Sequence, residues 1–557
     1  MSAGDVARDP VAVAKGPGER PHEFTMISPD ATDALRTGEF LMHRMSGDRG
    51  ESRDVLSRII SRSPVRLFPD TFFASPRVAP AEIAAALGHD GGQPELFEIT
   101  ARVMGYFDES LEGFVNPRTL PRSGEPLFLA PGDLLARVLS SRQKQERGSA
   151  HVGRLLARPE EDVPIVLDVN EFTSTHLSII AGTGAGKSYF AGVVVEELLR
   201  PYNRGCVLIV DPHGEYDTLV DMCDHRDFVE DGYRPVVKVL KPDEVKVRFS
   251  SLSLDDIRYL LPDMGERMEA ILTEASQRMS GSRDDYDQTA AGLIQAIQDV
   301  GLDHQQAGRD YMSSVDGLMW RVKRRLMTSP NFDDYEHLDL NSIFRPGQCT
   351  VLQLNEKDQQ DQQVIVATLL RRLLKARMDT EKDQLPSQSE SYLPYPVFVL
   401  IEEAHHFAPA GGDVISSGVL KRVLAEGRKF GVGIALISQR PGKLDSDALS
   451  QCMTHVIMRI VNPVDQNSIA GSVESVGREL LDELPALTKG QAVIAGSSLK
   501  SPVLAQTRAR LTRHGGSSIN SAEVWAQYFG KRESRERDEA VVPKRVLRRD
   551  DLFGPDS

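Results

Sequence analysis

Leu177-Ser-Ile-Ile-Ala-Gly-Thr-Gly-Ala-Gly-Lys-Ser188 is an apolar run that breaks into a glycine-rich turn and ends on a lysine and a serine. Beyond it Phe190, Val193, Val194, Glu197 and Leu198 recur at helical spacing and give one mostly buried face. Strand, glycine loop and helix in that order are the setting in which a GxxxxGK[ST] pattern binds phosphate. Gly182, Gly184 and Gly186 let backbone N–H groups converge on phosphate oxygens, and the helix N-terminus adds its dipole. Lys187 is expected to reach the β- and γ-phosphates, and the Ser188 hydroxyl to hold Mg²⁺. The whole expected cradle is Gly182, Thr183, Gly184, Ala185, Gly186, Lys187, Ser188 and Tyr189, and its ligands are ATP and Mg²⁺. Ala181 stands at the pattern's first position in place of Gly, a change of one methyl at the strand end.

A second apolar run, 396–401, ends on Glu402 and Glu403. After a phosphate loop, such a pair predicts one carboxylate for the metal and one for water. Glu402 is expected to hold Mg²⁺ through water, and Glu403 to act as general base. A third run, 433–437, leads into Ser438, Gln439 and Arg440. Gln439, at the tip of the neighbouring strand, is expected to sense the γ-phosphate. The helix before it has Ile415, Val419, Val423 and Leu424 on one face and ends at Glu426, Gly427 and Arg428. Arg428 is expected to reach across a subunit boundary to a neighbour's ATP, with Arg440 in reserve. His405 and His406 are adjacent, so they do not form a metal-binding pair.

The rest of the chain sets the frame. The 557 residues carry a net charge of −15, which argues against a general coat of nucleic acid but not against a locally basic channel. The four cysteines, Cys206, Cys223, Cys349 and Cys452, are far apart and suggest reduced thiols in a cytoplasmic protein. No run of about 18 apolar residues predicts a membrane span. Residues 1–35 read as disordered. Residues 36–164 read as a small β-rich domain, with strands at 64–68, 98–107 and 126–129 and one helix at 80–87. From 165 onward, strands alternate with helices as a mostly parallel α/β sheet requires. The strands are expected at 176–180, 206–210, 236–240, 350–354, 397–401, 433–437, 455–460 and 491–494. Residues 252–345 read as a helical insertion, which divides the sheet domain into 165–251 and 346–500. Residues 501–557 form a separate C-terminal segment with a charged tail.

Several ordered segments together resemble the HerA family of hexameric DNA translocases, in the wider HerA/FtsK group. They are the loop at 181–188, Asp211-Pro-His-Gly-Glu-Tyr216, Glu402-Glu-Ala-His-His-Phe-Ala-Pro409, Glu426-Gly-Arg-Lys-Phe-Gly431, Ser438-Gln-Arg-Pro441, Leu449-Ser-Gln-Cys452, Asn462-Pro-Val-Asp-Gln466 and Thr512-Arg-His-Gly-Gly516. Residues 113–124 resemble the end of that family's N-terminal β-barrel. The resemblance implies a RecA-like P-loop core after a barrel, a homo-hexamer with ATP sites between neighbours, and double-stranded DNA in a central channel. It also implies a C-terminal brace and a partner, either a nuclease or an NAD-consuming or nuclease effector in anti-phage defence. Catalytic roles carry over to Lys187, Glu403, Gln439 and Arg428, with Asp211, His213 and Glu215 in support. Two other readings compete. One is a ring-shaped scaffold in which ATP controls assembly of a partner enzyme. The other is a small-molecule P-loop kinase, which the Glu402–Glu403 pair and the Arg428 position disfavour.

Overall fold

Runs such as Val207-Leu-Ile-Val210 and Val397-Phe-Val-Leu-Ile401 have no polar face, so a sheet built from them must be covered on both sides. The computed structural model shows this arrangement. It describes residues 9–29, 34–46, 52–65, 96–111, 113–230, 232–281, 286–308, 311–333, 335–515 and 520–529.

The first strands are β1 (Ala12–Pro17), β2 (Glu23–Ser28), β3 (Phe40–Ser46), β4 (Ser52–Pro64), β5 (Phe97–Asp108), β6 (Gly113–Val115) and β7 (Pro126–Leu129). They pair in the order β2-β1-β7-β3-β4-β5-β6, and β2 also pairs with β5. That pairing closes six strands into a barrel, which removes exposed edges. Phe24, Met26, Leu41, Val55, Ile59, Ile99 and Leu127 fill it.

The large sheet takes β8 (Ser149–Leu155), β9 (Pro164–Asp168), β10 (Leu177–Ile180), β11 (Cys206–Asp211), β12 (Val236–Leu240), β13 (Gln348–Gln353), β14 (Val397–Ile401), β15 (Val432–Ser438), β16 (Thr454–Met458), β17 (Gln491–Gly496) and β18 (Val503–Thr507). Their order is β12-β13-β11-β14-β15-β10-β16-β17-β18-β8-β9. Pairing is parallel from β12 to β16 and antiparallel from β16 to β9. Alternate side chains face opposite ways. Val399 and Ile401 join one core while Phe398 and Leu400 join the other. The helix Lys187–Leu198 covers the second face. The first face is covered by Glu266–Gly281, Ala290–Gln306, Met312–Val322 and Gln359–Glu381. The helical block is therefore the crossover from β12 to β13 and shares the core of the sheet.

Three expected boundaries are corrected. The 1–35 stretch, expected to be disordered, holds β1 and β2. Ala12 and Ala14 give a weak apolar signal, and the partners that bury them, β2 and β7, are remote or unremarkable in sequence. The block assigned as 36–164 ends early, because β8 pairs with β18 and extends the large sheet. The separate segment expected from 501 begins too early, since β18 belongs to that sheet. The helix expected at 80–87 and the tail beyond 529 lie outside the described residues. Residues 521–529 form a short helix in a C-terminal unit of their own. Among the described residues no helix is long and apolar enough to cross a membrane.

Two buried histidines give the core a pH dependence. His455 bonds Ser178 Oγ through Nδ1 at 2.7 Å, and His176 lies just before β10. Burial holds both near a pKa of about 4. Between about pH 6.5 and 4 the unfolded chain binds these protons and the folded chain does not, so stability falls as pH falls. The expected loss by pH 4 is on the order of 3 kcal/mol per histidine. Melting temperatures across pH 4–7 for the wild type and His455→Gln check it: the variant curve should be flatter.

Candidate active site

The parallel strands end together. Ile180 is in register with Ser438, Val210 with Ile401, and Ile401 with Leu436. Ala181, Asp211, Glu402 and Gln439 therefore emerge along one edge, where open α/β sheets hold ligands. The loop's close packing explains its glycines. A Cβ at Gly182 would stand 2.9 Å from the carbonyl oxygen of Arg459, and Gly186 has φ +112°. The Ala181 methyl is fully buried in the core, so its departure from Gly places no side chain at an exposed phosphate-facing position. Ala185 is also buried.

Lys187 Nζ donates to Glu402 Oε2 at 2.6 Å and to Glu403 Oε1 at 3.2 Å. Burial alone would lower its pKa, but the two carboxylates outweigh burial and hold it above the ordinary lysine value. Glu402 also accepts from the hydroxyl of fully buried Tyr216. Burial, then the Glu402 charge, pushes that phenol well above its usual pKa. Ser188 Oγ donates to Glu215 Oε2 at 2.5 Å. Asp211 arranges this loop: its carboxylate accepts from the backbone N–H groups of His213, Gly214 and Tyr216. Burial nevertheless raises its pKa.

Glu403 has φ +49°, a left-handed conformation unusual for a residue with a side chain. Its side chain is buried, and Oε2 accepts no hydrogen bond among the described residues. His405 Nδ1 lies 3.3 Å from that oxygen without hydrogen-bond alignment. Burial, with His406 adding to it, holds His405 near a pKa of about 4. A buried, strained carboxylate with one open oxygen is suited to accept a proton from water. Gln439 Oε1 accepts from Thr183 Oγ1 at 3.1 Å, linking the strand tip to the loop.

Arg428 is elsewhere. It lies in the turn Gly427–Phe430, just before β15 begins at Val432, and is exposed. Gln439 follows the far end of that strand, so about 20 Å of strand separates Arg428 from its own chain's phosphate loop. Arg440 sits on the loop side of the sheet, also exposed. The structure thus joins Lys187, Ser188, Glu402, Glu403 and Gln439 and sets Arg428 apart.

Two features were not read from sequence. Glu215, given only a supporting role, is the carboxylate on Ser188, while Glu402 is held by Lys187 and Tyr216. Its signal was Asp211-Pro-His-Gly-Glu215 directly after a buried strand. The second is a polar clamp on the phosphate-loop helix. Glu196 accepts from Arg508, from the backbone N–H groups of Leu511 and Thr512, and from the Thr512 hydroxyl. Glu197 accepts from Arg508, Tyr202 and the His151 N–H. The Arg510 N–H donates to Tyr189 Oη.

The basic stretch 371–377 is largely committed to the fold. Arg371 grips buried Asp256, and Arg377 donates to the carbonyls of Phe430 and Leu393.

The donor set fits Mg²⁺ with a nucleoside triphosphate. A hydroxyl beside a carboxylate suits a hard cation that keeps its waters. Lys187 already sits between anionic oxygens, as it would beside phosphate. Fold and site define a RecA-like P-loop nucleoside triphosphatase. Residues 150–373 match the family described as "Helicase HerA, central domain". The chain is 29% identical over 483 residues to the DNA double-strand break repair helicase HerA of Pyrococcus furiosus, covering 79% of this chain and 84% of that one. It is 26% identical to the HerA of Sulfurisphaera tokodaii, over 73% and 78% of the two chains. VirB4 of Thermoanaerobacter pseudethanolicus superposes with a TM-score of 0.48 at 14% identity, over 67% of this chain and 99% of that one. The plasmid coupling protein TrwB in complex with ADP and Mg²⁺ gives 0.43 at 12%, over 69% and 94%. The chain is thus similar to HerA helicases over most of its length, with the match to the family's central domain at residues 150–373.

Proposed function

We propose that this protein is an ATP-hydrolysing motor that moves on double-stranded DNA as a ring, its nucleotide sites completed between neighbouring subunits. The observation that carries the reading is the split of the site across the sheet. Lys187, Glu403 and Gln439 share one edge, and Arg428 lies at the opposite edge, so an arginine finger at this position would serve a neighbouring chain's nucleotide rather than its own. A heterologous contact of this kind forms a ring when its rotation closes, and a closed ring of six copies is what the family resemblance implies. Bound Mg²⁺ would be held by Ser188 with Glu215 or Glu402 and would neutralise phosphate charge. Lys187 would exchange its carboxylate partners for phosphate oxygens, leaving Glu403 free to take a proton from the attacking water. Gln439 would register the γ-phosphate through its link to Thr183. DNA as substrate rests on the relatives, whose names describe helicases of double-strand break repair. Work with a partner nuclease, or with an NAD-consuming or nuclease effector, in DNA end processing or anti-phage defence is what the family resemblance implies.

The reading is tested by ATPase rate with and without duplex DNA across a salt series. Duplex should raise the rate, and the DNA concentration needed should climb steeply with salt as phosphate contacts are lost. A rate indifferent to duplex, alone or with partner, would favour the ring-shaped scaffold instead.

A further inference from the structure

His176 lies near Arg428, the proposed arginine finger, and bonds to no residue of the phosphate site. It stands between the short helix Val169–Thr175 and β10, with φ +66° and 2% exposure. Its Nδ1 accepts the N–H of Ile434 on β15 at 3.1 Å. In a neutral ring the proton is then on Nε2, and Nε2 donates to the Leu424 carbonyl at 2.8 Å. Leu424 lies in the last turn of the helix Ile415–Glu426. In an uninterrupted α-helix that carbonyl would take the N–H of Arg428. Here the imidazole also bonds to it, and the chain tightens into the 3₁₀ turn Gly427–Phe430, closed by Gly431 N–H on the Gly427 carbonyl. Arg428 rides on that turn. Its charge is close enough to help burial hold the His176 ring neutral.

We propose that His176 is the positioning residue for Arg428, capping the helix that carries the finger and fixing it to the strand that leads into the phosphate loop. The proposal rests on Arg428 acting in trans. It makes β10 a short rigid link with the finger for one neighbour's nucleotide at its start and the chain's own nucleotide loop at its end.

Two variants separate the contacts of the ring. Both variants meet the same backbone, φ +66° with ψ +152°, so its strain is common to them. His176→Asn keeps an acceptor for Ile434 but cannot reach Leu424. His176→Gln restores a donor with that reach. Assembled rings are isolated by size and assayed with duplex DNA. His176→Asn should lower kcat at least about tenfold while nucleotide affinity stays within about twofold, and His176→Gln should retain most of the rate. Mixed rings then assign the defect to a face. His176→Asn subunits should recover activity with Lys187→Ala subunits and none with Arg428→Ala subunits. The reverse pattern would overturn the proposal, since it places the defect on the loop face. So would wild-type activity in His176→Asn, or an equal loss in a folded His176→Gln ring. If the control mixture of Arg428→Ala with Lys187→Ala shows no recovery, the finger reading fails and this proposal falls with it. Recovery of the control with the wrong grouping for His176 overturns only the proposal.

Discussion

Arg428→Ala is expected to lower kcat for ATP hydrolysis by about 10³–10⁵-fold, the range seen where an arginine stabilises transition-state charge on a neighbour's phosphate. Nucleotide affinity and ring assembly should change little, because the side chain is exposed and sits at the edge of the sheet away from its own loop. In the proposed ring, each interface would take the loop from one subunit and the finger from the next. A one-to-one mixture of Arg428→Ala and Lys187→Ala subunits should therefore leave roughly a quarter of interfaces intact and recover activity accordingly. Steady-state ATPase assays on the variants and the mixture check this. A loss of only a few-fold, or a mixture as inactive as its parents, would remove Arg428 from the reaction.

Glu403→Gln is expected to cost about 10²–10⁴-fold in kcat, the usual value of a general base. The amide can still accept from Lys187, so the loop geometry should survive and ATP should still bind. The variant should hold ATP without turning it over, seen as retained binding of a fluorescent nucleotide with negligible phosphate release. Glu402→Gln should behave differently. It weakens the pairing with Lys187 and Tyr216, so its defect should appear in nucleotide and Mg²⁺ affinity as well as in rate.

The parallel core was legible because its strands are buried on both faces and read as unbroken apolar runs. Every strand expected from 176 to 494 has a counterpart within a few residues. The antiparallel margin was not. Ser149–Leu155 mixes His151, Gly153 and Arg154 with its apolar residues, and its pairing with β18 joins segments far apart in sequence. The barrel's first strands were hidden for a similar reason, since Ala12 and Ala14 carry little hydrophobic signal. At the site, the residues on strand tips could be placed because parallel register forces the tips together. Glu215 and the Glu196–Arg508 clamp could not, because they depend on how a loop folds back and on a C-terminal segment crossing a helix. Glu196 and Glu197 are both almost fully buried, carboxylates in a helix whose residues from Phe190 to Leu198 are all buried. Their burial is tolerable only because Arg508 and backbone N–H groups satisfy them.

In the proposed function, ATP hydrolysis at a site shared between subunits drives movement along duplex DNA. The most direct measurement is displacement of a labelled third strand from a triplex placed on a linear duplex, followed with ATP, with a non-hydrolysable analogue and with Glu403→Gln. Release should depend on ATP and be delayed in proportion to the duplex between entry point and triplex, with none seen with the analogue or the variant. Brisk DNA-stimulated hydrolysis in partner-bound rings that leaves the triplex intact would contradict the proposed function.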